Sequence, residues 1–324
     1  MAGAIAIVVV GWLVVRFAGA EPDVGDRTGS ATGDLLAHTP FDRDLVPYEG
    51  QGAWVDVFDF APAYQDPGQA PEITPAVVDE MADLGVRTLY IQAARNDPRS
   101  PEMIVDERLL AEFLLRAHER DMRVVGWYLP KFADVDADLA HLVAMSDFEV
   151  AGHAFDGVAV DIEFTEDVPD HVERGARLTE LSQRQREATG DEALGAIVLP
   201  PVLTEVVNPM FWPSFPWAEL APLYDVWLPM SYWTFRSADS GYTDGYAYNT
   251  ESTQRLRANL DQPDAVVHGI GGIGDEVTPE TLLEFGRSLV DTGSIGGSIY
   301  DWRTMSPENR AVMAELFAVD LAGP

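Results

Sequence analysis

The chain has 324 residues, 47% of them hydrophobic and 23% charged, the size and composition of one folded eightfold α/β barrel with an N-terminal extension rather than of a disordered chain. Its 21 Lys and Arg against 54 Asp and Glu leave a formal net charge of −33, which repels phosphate backbones and anionic lipid surfaces and argues against nucleic acid as a partner. The absence of cysteine excludes disulfides, thiolate nucleophiles and Cys-ligated metals.

Ala4 to Val15 form an apolar run that ends at Arg16 and is followed by Ala18-Gly19-Ala20 and acidic Glu21 and Asp23. Residues 1–20 therefore read as a signal peptide with an A-x-A cleavage site or as a membrane anchor, although a positive n-region is missing. A run of about 12 to 15 residues is short for a spanning helix, which needs about 20. Residues 21–49 are polar and rich in Gly, Asp and Thr, the pattern of a flexible linker. Both features predict a protein secreted or anchored at the outer face of the cytoplasmic membrane, touching the membrane only through its N-terminal segment.

From residue 50 to about 320, short β-branched and aromatic runs alternate with longer amphipathic stretches. The predicted strands are Ala53–Phe60, Arg87–Ala93, Arg123–Leu129, Gly157–Glu163, Leu194–Leu199, Val226–Tyr232, Ala265–Ile270 and Gly297–Trp302. The predicted helices are Pro75–Leu84, Asp106–Arg120, Asp136–Ser146, Pro169–Thr189, Trp217–Leu223, Thr250–Leu260, Pro279–Asp291 and Pro307–Phe317. Eight such units in one series predict a closed (β/α)8 TIM barrel over an open doubly wound sheet. The glycine cluster Gly269 to Gly274 follows the seventh predicted strand, where it reads as a tight loop or a phosphate site.

Chemistry in this fold sits at the C-terminal ends of the strands. Along the fourth strand, period-two alternation puts Val158, Val160 and Ile162 on one face and Ala159, Asp161 and Glu163 on the other. The second row runs from a small residue inside the barrel to two carboxylates at its mouth. Adjacent carboxylates with little solvent hinder each other's ionisation, so one stays protonated and can serve as an acid. A structural pairing of these acids with Arg95 or Arg236 is the competing reading.

The strand-four residues Asp156, Gly157, Asp161 and Glu163 resemble the Asp-Gly-x-Asp-x-Asp-x-Glu motif of glycoside hydrolase family 18, the chitinase family. Met230-Ser231-Tyr232 is similar to that family's Met-x-Tyr on strand six, and Trp302 stands where its strand-eight tryptophan floors the sugar site. Two departures, Ala159 for the middle aspartate and Gly126-Trp127-Tyr128-Leu129-Pro130 for Ser-x-Gly-Gly on strand three, make the chain look more like a broader set of bacterial (β/α)8 barrels related to glycoside hydrolases. The resemblance implies Glu163 as general acid, Asp161 as its partner orienting a substrate acetamido group, and Tyr232 as a hydrogen-bond donor to that group. Without an acetamido substrate a further carboxylate is needed, from Asp56, Asp59, Asp225 or Asp301. Trp302 and Trp233, placed at predicted strand ends, are the aromatic candidates for sugar stacking, and Asp59 and Asp301 join them as substrate-binding candidates.

The six histidines show no metal-binding spacing, and His268 reads as a core residue or a ligand contact. No cofactor and no metal are expected. The predicted partner is a neutral or cationic polysaccharide or oligosaccharide, with amino sugars leading. The two functional classes left open are a secreted glycosidase and a non-catalytic carbohydrate-binding barrel that retains the cleft, with a lysozyme-like muramidase as a weaker third.

Overall fold

The computed structural model describes residues 43–318. The apolar segment 1–20 and most of the linker 21–49 lie outside the described residues. Among the described residues, no helix is long and apolar enough to cross a membrane.

Eight parallel strands close into a barrel: β1 (Gly50–Val55), β2 (Thr88–Ala94), β3 (Arg123–Tyr128), β4 (Gly157–Ile162), β5 (Leu194–Val198), β6 (Val226–Ser231), β7 (His268–Ile273) and β8 (Gly296–Tyr300). Between and after them run α1 (Val77–Asp83), α2 (Glu107–Glu119), α3 (Val135–Ser146), α4 (His171–Thr189), the short α5 (Trp217–Leu220), α6 (Gly245–Asn259), α7 (Pro279–Thr292) and α8 (Pro307–Ala318). Most helices start where an Asp or Thr side chain accepts from the first free backbone N–H groups, as Asp106, Asp134, Asp170, Asp244 and Thr278 do. The predicted (β/α)8 barrel is the observed fold.

Strand alternation separates two cores. Val158, Val160 and Ile162 of β4 face the helices with Val124, Leu178 and Leu181, whereas Ala159 faces the interior with Trp54, Tyr90, Trp127 and Leu228. Tyr48 plugs the base of the interior, where its hydroxyl lies 3.0 Å from the Val158 carbonyl and 3.1 Å from that of Ala193. Gly195 makes room for it, because a Cβ there would lie 2.8 Å from the Tyr48 ring. Asp156, the first residue of the family 18-like motif, lies at this end of the barrel too, bonded to His118, Arg123 and the Val124 N–H. Burial pushes its carboxyl up, but those hydrogen bonds outweigh it and hold the carboxyl below its ordinary value.

His268, the first residue of β7, belongs to the interior and not to a ligand site. Its Nδ1 must donate to the Tyr48 carbonyl (2.8 Å), so Nε2 accepts from the Ser298 hydroxyl (2.9 Å), whose oxygen accepts from Trp54 Nε1 (2.7 Å). Burial lowers its pKa to about 4. The unfolded chain takes up this proton near pH 6.5 and the folded one only near 4, so stability is lost as pH falls through that window, by about 3 kcal/mol. Urea titrations at pH 7 and pH 4 check this: His268→Gln should be less stable than the parent at pH 7 but lose less between the two pH values. An equal loss in both proteins would count against a buried neutral imidazole.

Three departures from the predicted strand boundaries bear on the barrel mouth. β1 stops at Val55 instead of Phe60, because the Asp56 side chain accepts from the Phe58 N–H (2.7 Å) and the Asp59 side chain from the Asp56 N–H (3.2 Å), turning residues 57–60 into one helical turn. β7 starts at His268, so the glycine cluster lies largely within the strand and is not a loop after it. At Gly271 a Cβ would come within 2.6 Å of the Trp233 ring, so close packing of Trp233 on the strand requires glycine there. β8 ends at Tyr300, just after a register shift against β7, and not at Trp302.

Candidate functional site

Alternation that places Ala159 inside carries Asp161 to the same face two residues nearer the mouth. Asp161 is 8% exposed, and its Oδ1 is enclosed without a hydrogen-bond partner. Burial holds its carboxyl well above the ordinary value, Glu163 adds to this, and the Arg95 charge opposes it. Glu163 follows β4, half-buried, and loss of solvation raises its pKa as well. Two neighbouring carboxyl groups, both pushed away from ionisation by burial, thus stand at the mouth end of β4.

No salt bridge among the described residues joins either acid to Arg95 or Arg236, and Arg95 acts on Asp161 only through its charge. Arg95 lies over the Phe58 ring at 4.8 Å with its Nε 3.8 Å from Asp97, and Arg236 lies 6.0 Å from the Tyr248 ring.

Tyr232, just beyond β6, is half-buried; burial and then the charges of Glu163, Asp161 and Asp301 raise its pKa well above the ordinary value. Its ring lies 6.1 Å from that of Tyr300, whose hydroxyl donates to Asp56 Oδ2 at 2.7 Å. Tyr300 in turn lies 6.4 Å from Trp54, which stacks on Tyr90 at 4.4 Å and meets Trp127 edge-on at 6.1 Å. The inner end of the mouth is thus aromatic, built from β1, β2, β3 and β8.

Asp59 and Asp301 come together with Asp56 on the β1 and β8 side, one carboxylate oxygen of each lying within 4.8 Å of the others. All three are buried. Burial and then Asp56 and Asp301 raise Asp59 to about 8, against the opposing charge of Arg303, which is hydrogen-bonded to it. Asp301, 2% exposed, is also raised by burial, while the Thr304 N–H donating to its Oδ1 at 2.8 Å pulls the other way. Three such oxygens have the donor chemistry for a hard cation. The Arg303 guanidinium already supplies positive charge there, and Tyr300 occupies one acceptor.

Other candidates lie elsewhere. Trp302 is 1% exposed and packs in the helix-facing core, with the Arg310 guanidinium 4.5 Å from its ring and the Arg310 side chain donating to its carbonyl at 2.7 Å. Trp233, 2% exposed, is wedged behind β7 against Phe285 at 5.4 Å. Neither ring can floor a sugar from there. The cause is the early end of β8 for Trp302 and a helical turn after Tyr232 for Trp233. Asp225 sits at the opposite end of the barrel, paired with Arg43 and Arg186, far from the chemistry proposed for it. Tyr300 and Trp54 went unread as site residues, although the Ser298/Tyr300 alternation on strand eight contains the signal for Tyr300.

No family model matches the chain, and no curated protein sequence matches it. Solved structures do match its fold. An endo-β-1,4-mannanase from Thermotoga petrophila aligns with a TM-score of 0.61 at 9% identity, over 84% of this chain and 77% of that one. An endoglucanase from Pseudomonas stutzeri gives 0.58 at 14% identity over 84% and 95%. A glycoside hydrolase family 18 N-acetylglucosaminidase from Paenibacillus barengoltzii gives 0.50 at 12% over 83% and 99%. At these identities the likeness is one of fold.

Proposed function

We propose that this chain is a glycoside hydrolase that cleaves an extracellular or cell-envelope polysaccharide, with Glu163 as general acid and Asp161 as its partner. The observation that carries this reading is the pair of neighbouring carboxyls at the mouth end of β4, Asp161 within the strand and Glu163 just beyond it, both pushed away from ionisation by burial and one of them holding an oxygen that no protein group engages. A carboxyl that keeps its proton towards neutral pH can deliver it to a departing glycosidic oxygen, and the loss of that proton at higher pH ends activity. Asp161 stands beside it as the second carboxyl of the pair, and Tyr232 supplies a hydroxyl towards the same space. The fold shared with a mannanase, an endoglucanase and a family 18 N-acetylglucosaminidase supports the reaction class.

The acidic surface favours a neutral or cationic polymer, amino-sugar polymers among them. In this reading the enzyme is exported or anchored through residues 1–20 and works outside the cytoplasmic membrane. Incubation with glycol chitin, chitosan, galactomannan and hydroxyethyl cellulose, with reducing ends measured against a Glu163→Gln control, tests the reading. New reducing ends from the parent alone are expected. Ala159, which removes one carboxylate from the mouth, favours the alternative of a binding barrel; retention of a polymer without cleavage would select it.

A further inference from the structure

The strand order of the closed barrel puts β4 and β8 opposite each other, with β6 halfway between them. Glu163 follows β4, Asp301 follows β8 and Tyr232 follows β6, so the three groups span the mouth along one half of the ring. The Tyr232 hydroxyl feels the charges of Glu163 and Asp161 from one side and of Asp301 from the other.

The hydrogen-bond partners of the β1 and β8 carboxylates single out one of them. Asp56 accepts from the Phe58 N–H and from the Tyr300 hydroxyl. Asp59 accepts from the Asp56 N–H and from Arg303. Asp301 accepts a hydrogen bond from Thr304 alone among the described residues, while the Arg303 charge favours its ionised form against burial and Asp56. It is the least engaged of the three, and it stands across the mouth from the acid. Asp161 cannot take that place, because it shares β4 with Glu163 and so lies on the same side.

We propose that Asp301 is the second catalytic carboxylate, the base that deprotonates the water attacking the anomeric carbon. The inference rests on Glu163 as general acid. As the glycosidic C–O bond breaks, its electron pair stays with the leaving oxygen, which takes the Glu163 proton. A new C–O bond forms from water, whose displaced proton passes to Asp301. The sum is the addition of one water across the bond, with a proton moved from Glu163 to Asp301 and returned through solvent.

A base on the strand opposite the acid lets the two carboxyls stand apart, and inversion of the anomeric centre needs a separation of roughly 6.5–9.5 Å that leaves room for a water. A substrate acetamido group is then unnecessary, so the substrate class is a neutral or cationic hexopyranose polymer with or without N-acetyl groups.

Proton NMR of the first reducing ends released from the polymers named above reads the stereochemistry directly in the parent. Inversion is expected. Asp301→Asn should lower kcat by about 10²- to 10⁴-fold with KM little changed. Retention of configuration, or an Asp301→Asn variant with parental kcat, overturns the proposal while leaving Glu163 in place provided Glu163→Gln is inactive. Full activity of Glu163→Gln, or a parent that cleaves none of the polymers, overturns both readings. Should Asp301→Asn not fold, the anomer formed by the parent still decides.

Discussion

Glu163→Gln is expected to lose between about 10²- and 10⁴-fold in kcat on a polysaccharide while folding as the parent does. The amide has the shape of the acid and keeps a donor and an acceptor, but it has no proton to give. Its effect on stability has a definite sign. Burial raises the folded pKa of Glu163, so the neutral form is the one the folded state prefers. That preference contributes stability below the unfolded value of about 4.3, and the contribution is lost as pH rises through the folded pKa. The substituted amide stays neutral throughout. The variant should therefore be at least as stable as the parent at pH 8, and a pH series of thermal melts measures this. A variant that is both inactive and strongly destabilised would point to a structural role instead.

Trp302→Ala should cost about 3–5 kcal/mol of stability, a large part of the roughly 5–15 kcal/mol that holds a typical domain together. The ring is 1% exposed in the helix-facing core and carries the Arg310 guanidinium on its face, so truncation removes packing and a cation–π contact and leaves a cavity. Trp302→Phe keeps most of the volume and should cost clearly less. Denaturant titration of both variants gives the comparison. The resemblance to a strand-eight sugar platform predicts the reverse pattern: near-parental stability with sugar affinity lost. Affinity measured on Trp302→Phe separates the two, and parental binding is the outcome that fits its burial.

The barrel was legible because each strand is a short apolar run between amphipathic helices, a signal that survives errors of several residues at the ends. The placement of Asp161 and Glu163 at the mouth end of β4 was legible for a related reason. β4 carries Val158, Val160 and Ile162 on one face, so a single phase of the alternation decides where Asp161 points. What failed were features that depend on where a strand stops. Asp56 and Asp59 bond to nearby backbone and end β1 early, and the register shift before Tyr300 turns the residues after it. Alternation points Tyr300 inward with Ser298, and Trp302 leaves that row because β8 ends at Tyr300. Glycines misled in the same way at β7, where they read as a loop but serve close packing of Trp233 and Phe285. The grouping of Asp56, Asp59 and Asp301 joins the first and last strands, so only closure of the ring creates it.

The role of Glu163 as proton donor is tested most directly by comparing leaving groups. A natural glycoside needs its departing oxygen protonated, whereas a dinitrophenyl glycoside of the same sugar departs as a stable anion without help. Steady-state kinetics of the parent and Glu163→Gln on a matched pair should show a loss of two or more orders of magnitude, about 10²-fold at least, on the natural linkage and a far smaller loss on the aryl glycoside. Equal losses on both substrates, or no loss on either, would contradict Glu163 as the acid.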